Sequence, residues 1–198
     1  MQYIHNETGR WVITKKAVDA QIQYLPASQE REPGFKCIRF GSITRLNNMQ
    51  IEFATQADLP ALADLLAELF SLEADFRPDR AKQLAGLQLI LDNPASGQLF
   101  VLRLDGAVAG MANALITFST AEGGRVLLLE DVIVSRNCRG NGAGRRLVEH
   151  VLAWAQSQGM SRVTLLADKD NAPALGFYEK MGFQVSAMKV LRRNLGQK

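Results

Sequence analysis

The sequence predicts a mixed α/β fold, a largely antiparallel central sheet flanked by helices. Three observations carry that expectation. Leucines recur at helical spacing early in the chain, alternating apolar runs joined by tight turns follow, and an apolar run from Val126 to Val134 passes through three glycines into an amphipathic segment, Arg145 to Trp154.

Taken in order, residues 1–48 show little sustained period. Arg10-Trp-Val-Ile-Thr14 is a candidate short strand, and Pro26 to Gly34 reads as an exposed linker. The texture changes at Met49, where an alternating strand leads into Thr55-x-x-Asp58, a helix N-cap with an acid in the first turn. This divides the chain into an N-terminal extension, 1–48, expected to be poorly ordered or to precede the natural start, and a domain at 49–195; Met49 is the candidate start. Leu59, Leu62, Leu66 and Leu69 form the stripe of a core-facing helix, and a second helix, expected from about Pro78, buries Leu84, Leu87 and Leu91 before Asn93-Pro94 ends it. Strands are predicted at 98–104 and 107–118 around the Asp105-Gly106 hairpin turn, and Gly123-Gly124 opens the next. A further strand at 162–167 and a terminal helix-strand pair complete the sheet.

Composition narrows the function classes. With 198 residues and 47% hydrophobic content, the chain suits one substantial core. No stretch approaches the ~18 apolar residues of a membrane span, and the first residues have neither a secretory apolar run nor the acid-poor composition of a transit peptide. A cytoplasmic protein is expected. Cys37 and Cys138 lie far apart, with only His5 and His150 as further soft ligands, so we expect free thiols and no metal. Of 23 basic and 20 acidic residues, the first 48 hold seven and four, which leaves sixteen of each beyond them. A balanced domain argues against a polynucleotide footprint, and the cluster Arg136, Arg139, Arg145, Arg146 suits a small anion.

The glycines identify where that anion would sit. After the apolar run come Arg139-Gly-Asn-Gly-Ala-Gly144 and a helix, so backbone N–H groups are presented at a helix N-terminus without side chains to shield them. The dinucleotide fingerprint fails, because the sixth place counted from Gly140 is Arg145, and no Lys-Ser or Lys-Thr follows for a P-loop. Arg139-x-x-Gly142-x-Gly144 resembles instead the pyrophosphate-binding signature of the GNAT family of N-acetyltransferases. Downstream, Asn171 followed by Ala172-Pro-Ala-Leu-Gly-Phe-Tyr178 and closed by Gly182-Phe183 resembles the second signature of that family. Asn171 is a good N-cap, Pro173 fits a first turn, and Gly182 suits a C-terminal stop.

The resemblance implies a GNAT-like acyl-CoA N-acyltransferase fold with acetyl-CoA as cofactor. It implies that Arg139, Gly140, Asn141, Gly142, Ala143, Gly144 and Arg145 cradle the pyrophosphate, that Val132, Ile133 and Val134 pair with the amide-bearing arm and supply an oxyanion donor, and that Asn171 contacts that arm. Tyr178 would protonate the departing thiolate, a role open to a phenol within hydrogen-bond reach. For the base, Glu130 and Asp131 both interrupt an apolar strand, where acids are costly unless paired or functional. On a regular strand their side chains face opposite sides, so only one reaches the acceptor; Asp131 is favoured slightly, with Glu130 close behind. Arg136 departs from the family pattern, which often has proline there. The loop between the first two helices, with Glu73, Asp75 and Phe76, is the acceptor-site candidate, and two carboxylates beside an aromatic suit a cationic amine, although a solvated acidic loop explains them equally. The expected activity is acetyl transfer to a primary amine of a small molecule or amino-acid derivative. Left open are a non-catalytic acyl-CoA sensor, a protein or aminoacyl-tRNA acetyltransferase, and a homodimer.

Overall fold

The computed structural model describes residues 4–5, 11–12, 48–72 and 76–195. The chain divides into two compact units, Met1–Lys36 and Cys37–Lys198. In the first, β1 (Ile4–His5) pairs antiparallel with β2 (Trp11–Val12), inside the short strand expected at Arg10 to Thr14.

The second unit is built on a five-stranded sheet ordered β3 (Met49–Phe53), β4 (Gly97–Leu104), β5 (Ala107–Ser119), β6 (Gly124–Val134), β7 (Val163–Leu165). Neighbours pair antiparallel except β6 and β7, which run parallel. Helices α1 (Leu59–Phe70) and α2 (Arg80–Asp92) connect β3 to β4, α3 (Ala143–Ser157) connects β6 to β7, and α4 (Ala172–Glu179) follows. A parallel neighbour requires such a crossover, because a tight turn can only reverse the chain. Mixed α/β architecture with a central, mainly antiparallel sheet is thus what the sequence predicts.

Local chemistry sets the element ends. The Thr55 N–H and hydroxyl donate to Asp58 Oδ2 at 2.8 and 2.9 Å, closing a capping box before α1. Helix α2 starts at Arg80, two residues beyond Pro78, because the Asp79 carboxylate accepts from the Lys82 N–H at 3.2 Å and so serves as N-cap. At the β4–β5 hairpin Asp105 and Gly106 both adopt positive φ, 51° and 81°, the turn whose twist matches the flanking strands.

Alternation then buries both sheet faces. Leu99 and Val101 of β4 join the core formed with α1 and α2, while Phe100, Leu102 and Leu104 face Leu147, Val148 and Val151 of α3. One expected element is missing among the described residues, since 183–195 form no strand after α4. The apolar alternation there loses phase between Val185 and Met188, so no single face can be buried, and both side chains are exposed.

Candidate active site

Two irregularities of β6 create the candidate site. The pairing of β6 with β7 stops at Leu129 with Leu165, so from Glu130 to Val134 that edge of β6 has no strand partner among the described residues. On the other side the register jumps from Asn113–Glu130 to Met111–Ile133, leaving Asp131 and Val132 opposite the single residue Ala112. This is a β-bulge, and Asp131 takes the positive φ of 49° that such an insertion demands; aspartate tolerates it better than most residues.

The bulge overturns the expectation that the two acids face opposite ways. Before it, Leu127 and Leu129 point to the α3 side, and after it Val132 and Val134 do, so the alternation has shifted by one residue. Glu130 keeps the α1–α2 side, and Asp131 reaches Asn113 on that same side, where Asn113 Nδ2 donates to Asp131 Oδ2 at 3.3 Å. Burial, then the neighbouring Asp131 charge, push the Glu130 carboxyl above its ordinary range, with the Arg192 guanidinium pulling against them. Burial likewise raises Asp131, and the Asn113 bond offsets part of the rise. Desolvation makes a carboxylate a stronger base, which suits a proton acceptor.

At the end of β6 the chain makes a 3-10 turn, Arg136–Cys138, then the glycine loop and α3. Gly140 and Gly142 have φ of 85° and 82°, and a Cβ added at either would meet nothing within 4 Å. Backbone conformation requires the glycines there, and open space lies in front of them. Gly142 is the N-cap and brings no side chain, while Asn141 Oδ1 accepts from the Ala143 N–H at 3.3 Å.

Arg139 turns away from this space. Its Nε donates to the Val134 carbonyl at 2.7 Å and its Nη2 to Glu68 Oε1 of α1 at 2.6 Å. Glu68 also accepts from the Arg136 N–H at 3.1 Å. A proline at 136 would lack that N–H, so the departure from the family pattern gives the turn an anchor that proline could not. Arg145 pairs with Glu149 along α3 at 2.7 Å. Cys138, beside the loop, is buried.

Tyr178 is held by the stop of α4. The Gly182 N–H bonds the Glu179 carbonyl at 2.9 Å and the Phe183 N–H bonds the Tyr178 carbonyl at 3.1 Å, with Gly182 at φ 88°, which is a Schellman motif. Its usual apolar contact is the Tyr178–Phe183 ring pair, 5.6 Å between centroids. Burial raises the phenol above its ordinary pKa, so it stays protonated at neutral pH. Asn171 caps α4, its Oδ1 accepting from the Ala174 N–H at 3.1 Å.

Residues 59–183 match the acetyltransferase (GNAT) family. The chain belongs to the GNAT family. This GNAT chain is 27% identical over 149 residues to glucosamine 6-phosphate N-acetyltransferase of Trypanosoma brucei brucei, covering 72% of this chain and 93% of that protein. It is 35% identical over 79 residues to streptothricin acetyltransferase of Streptomyces lavendulae, 40% of either chain. A solved Trypanosoma brucei acetyltransferase is similar with a TM-score of 0.60 and 26% identity, over 75% of this chain and 100% of that one. An aminoglycoside N-acetyltransferase in complex with CoA shares the fold, with a TM-score of 0.64 and 20% identity over 74% and 95% of the two chains. Membership carries the general GNAT activity, acetyl transfer to an amine, and leaves the acceptor open.

Of the expected acceptor-site residues, Glu73 and Asp75 lie outside the described residues. Phe76 packs on Phe70 at 5.4 Å, with the Arg192 guanidinium 5.1 Å above its ring. Sequence reasoning missed Glu68 and Asn113. Nothing in the helical stripe marks Glu68, whose partners lie about seventy positions on. Asn113 did leave a signal: it is the one polar side chain in the run Met111 to Ile116.

Proposed function

We propose that this GNAT protein transfers the acetyl group of acetyl-CoA to the primary amine of a small molecule or amino-acid derivative, by direct attack within a ternary complex. The observation that carries the reading is the open edge of β6 beside a glycine loop that leads into α3. When bound, acetyl-CoA supplies an activated acetyl thioester.

The residues fit such a group. N–H groups from Arg139 to Arg145, unshielded at Gly140 and Gly142, would hold its pyrophosphate, aided by the positive end of the α3 dipole, with the Ala143 N–H exchanging its Asn141 partner for the phosphate and Gly144 seated against Phe177 and Val134. Arg139 contributes through its backbone, because its guanidinium is engaged by Glu68 and Val134. The edge at Val132, Ile133 and Val134, unpaired by β7 and with the Val134 carbonyl held by Arg139 Nε, offers extended backbone that an amide-bearing arm can pair with, and the bulge leaves N–H groups to stabilise a developing oxyanion. Asn171 would contact the same arm with the amide nitrogen that its capping bond leaves over. Asp131, with Glu130 beside it, accepts the proton the amine must lose, and Tyr178 donates one to the leaving sulfur. Glu73, Asp75 and Phe76 would bound the acceptor.

Isothermal titration with acetyl-CoA and thiol release across a panel of amines test this reading. Binding with acceptor-dependent release of coenzyme A is expected. Binding without release under any amine would make the protein a sensor, and absence of binding at millimolar cofactor would remove the cofactor reading altogether.

A further inference from the structure

Asn113 is 4% exposed on a central strand, between Met111 and Ala114, both fully buried. An amide so placed is costly unless each polar atom is bonded. Its Nδ2 is bonded to Asp131, and a carboxylate neighbour dictates that orientation, because the carbonyl oxygen would be repelled. Oδ1 is therefore the atom left over, and it has no hydrogen-bond partner. An orphan acceptor thus stands beside a desolvated carboxyl at a bulge in the sheet.

We infer that Asn113 is half of the amine-binding site: its Oδ1 receives one N–H of the acceptor amine while Asp131 receives another. The inference rests on the acetyltransferase reading above and names the side chain that selects the primary nitrogen of that reading. Two converging acceptors select a nitrogen with at least two N–H bonds. A neutral primary amine satisfies both and keeps its lone pair free, whereas a neutral secondary amine has a single N–H and must leave one acceptor empty. The same Asn113 amide holds Asp131 through Nδ2, so one side chain orients both the base and the group it serves. Asn113 is in this sense both a substrate contact and a positioning residue.

The test uses the full chain with carbon-13 at the Asn and Asp side chains. Adding n-butylammonium is expected to shift the Asn113 and Asp131 Cγ resonances together and saturably. Tetramethylammonium, a cation without N–H, should leave Asn113 Cγ in place. Asn113→Leu, similar in shape and without polar atoms, is expected to weaken n-butylammonium binding about tenfold, the worth of one hydrogen bond, and to move the Asp131 titration to higher pH. No shift at Asn113 with n-butylammonium, as when a trapped water fills the place, overturns the proposal. So does an equal response to tetramethylammonium, or an unchanged Asp131 titration in Asn113→Leu. Titrating acetyl-CoA into the same sample keeps the two readings apart, because cofactor binding can fail while the amine response holds, and the reverse.

Discussion

At the residue scale, the proposed chemistry rests on side chains whose environments oppose their ordinary ionisation. Tyr178 is kept protonated by burial, which suits a proton donor. Tyr178→Phe retains the ring contacts with Phe177 and Phe183 and removes only the hydroxyl, so turnover should fall by ~10²–10⁴-fold with acetyl-CoA affinity unchanged. Wild-type turnover, with chemistry demonstrably rate-limiting, would return Tyr178 to a packing role. Asp131 makes a different prediction. Its folded pKa lies above the unfolded one, so the carboxyl favours folding below the unfolded value and opposes it as pH rises through the folded value. Near neutral pH, Asp131→Asn should therefore melt at a higher temperature than wild type while losing ~10²–10⁴-fold in turnover, since Asn also tolerates a positive φ. A variant that is less stable at neutral pH, or fully active, would remove Asp131 from the role of base.

At the element scale, α1 is tied down at both ends by acids. Near its start, Asp58 is 5% exposed and bonded by Thr55 and by Arg103 Nη2 at 2.8 Å, and Arg103 Nε also meets Glu52 at 2.5 Å. Burial pushes the Asp58 carboxyl up, but the Thr55 N–H, the Arg103 guanidinium and the Thr55 hydroxyl together outweigh it, and the net shift is downward. Its contribution is full above the ordinary carboxylate pKa and disappears as pH falls through the lower folded value. Asp58→Asn should cost about 3 kcal/mol at neutral pH, the scale for removing one partner of a buried pair, with the gap to wild type closing below about pH 4. Chemical denaturation at the two pH values measures it. Toward the other end, Glu68 clamps Arg136 and Arg139 and so fixes the entry to the glycine loop. Glu68→Gln loses the charge-assisted bond, and the expected result is an approximately tenfold rise in KM for acetyl-CoA with kcat little changed. A fall in kcat alone would show that Glu68 acts on the chemistry and not on the loop.

For the whole molecule, the core clusters draw, among the described residues, only on positions from Met49 onward. A chain beginning at Met49 should accordingly keep cooperative melting and acetyl-CoA affinity, and loss of either on calorimetry would make residues 1–48 part of the domain. Among the described residues no helix is long and apolar enough to cross a membrane, and no cluster of residues could hold a metal ion. Much of this architecture was legible in the chain itself. Thr55-x-x-Asp58, Asp105-Gly106, the glycines at 140, 142 and 144, and Asn171 with Gly182 are short-range signals, each acting through backbone groups within a few residues of its own position. They determined the helices, the hairpin, the loop and the stop that holds Tyr178. The candidate site acids were legible as identities but not as geometry. An alternation rule sends Glu130 and Asp131 to opposite faces, and only the pairing of β6 with β5 reveals the inserted residue that brings both to one. Asn113 and Glu68 gain their roles from contacts 18 and about 70 positions away, across strands and between helix and loop. Register and long-range hydrogen bonds are properties of the packed sheet, and no local pattern encodes them, so the tertiary structure alone decided how the site is assembled.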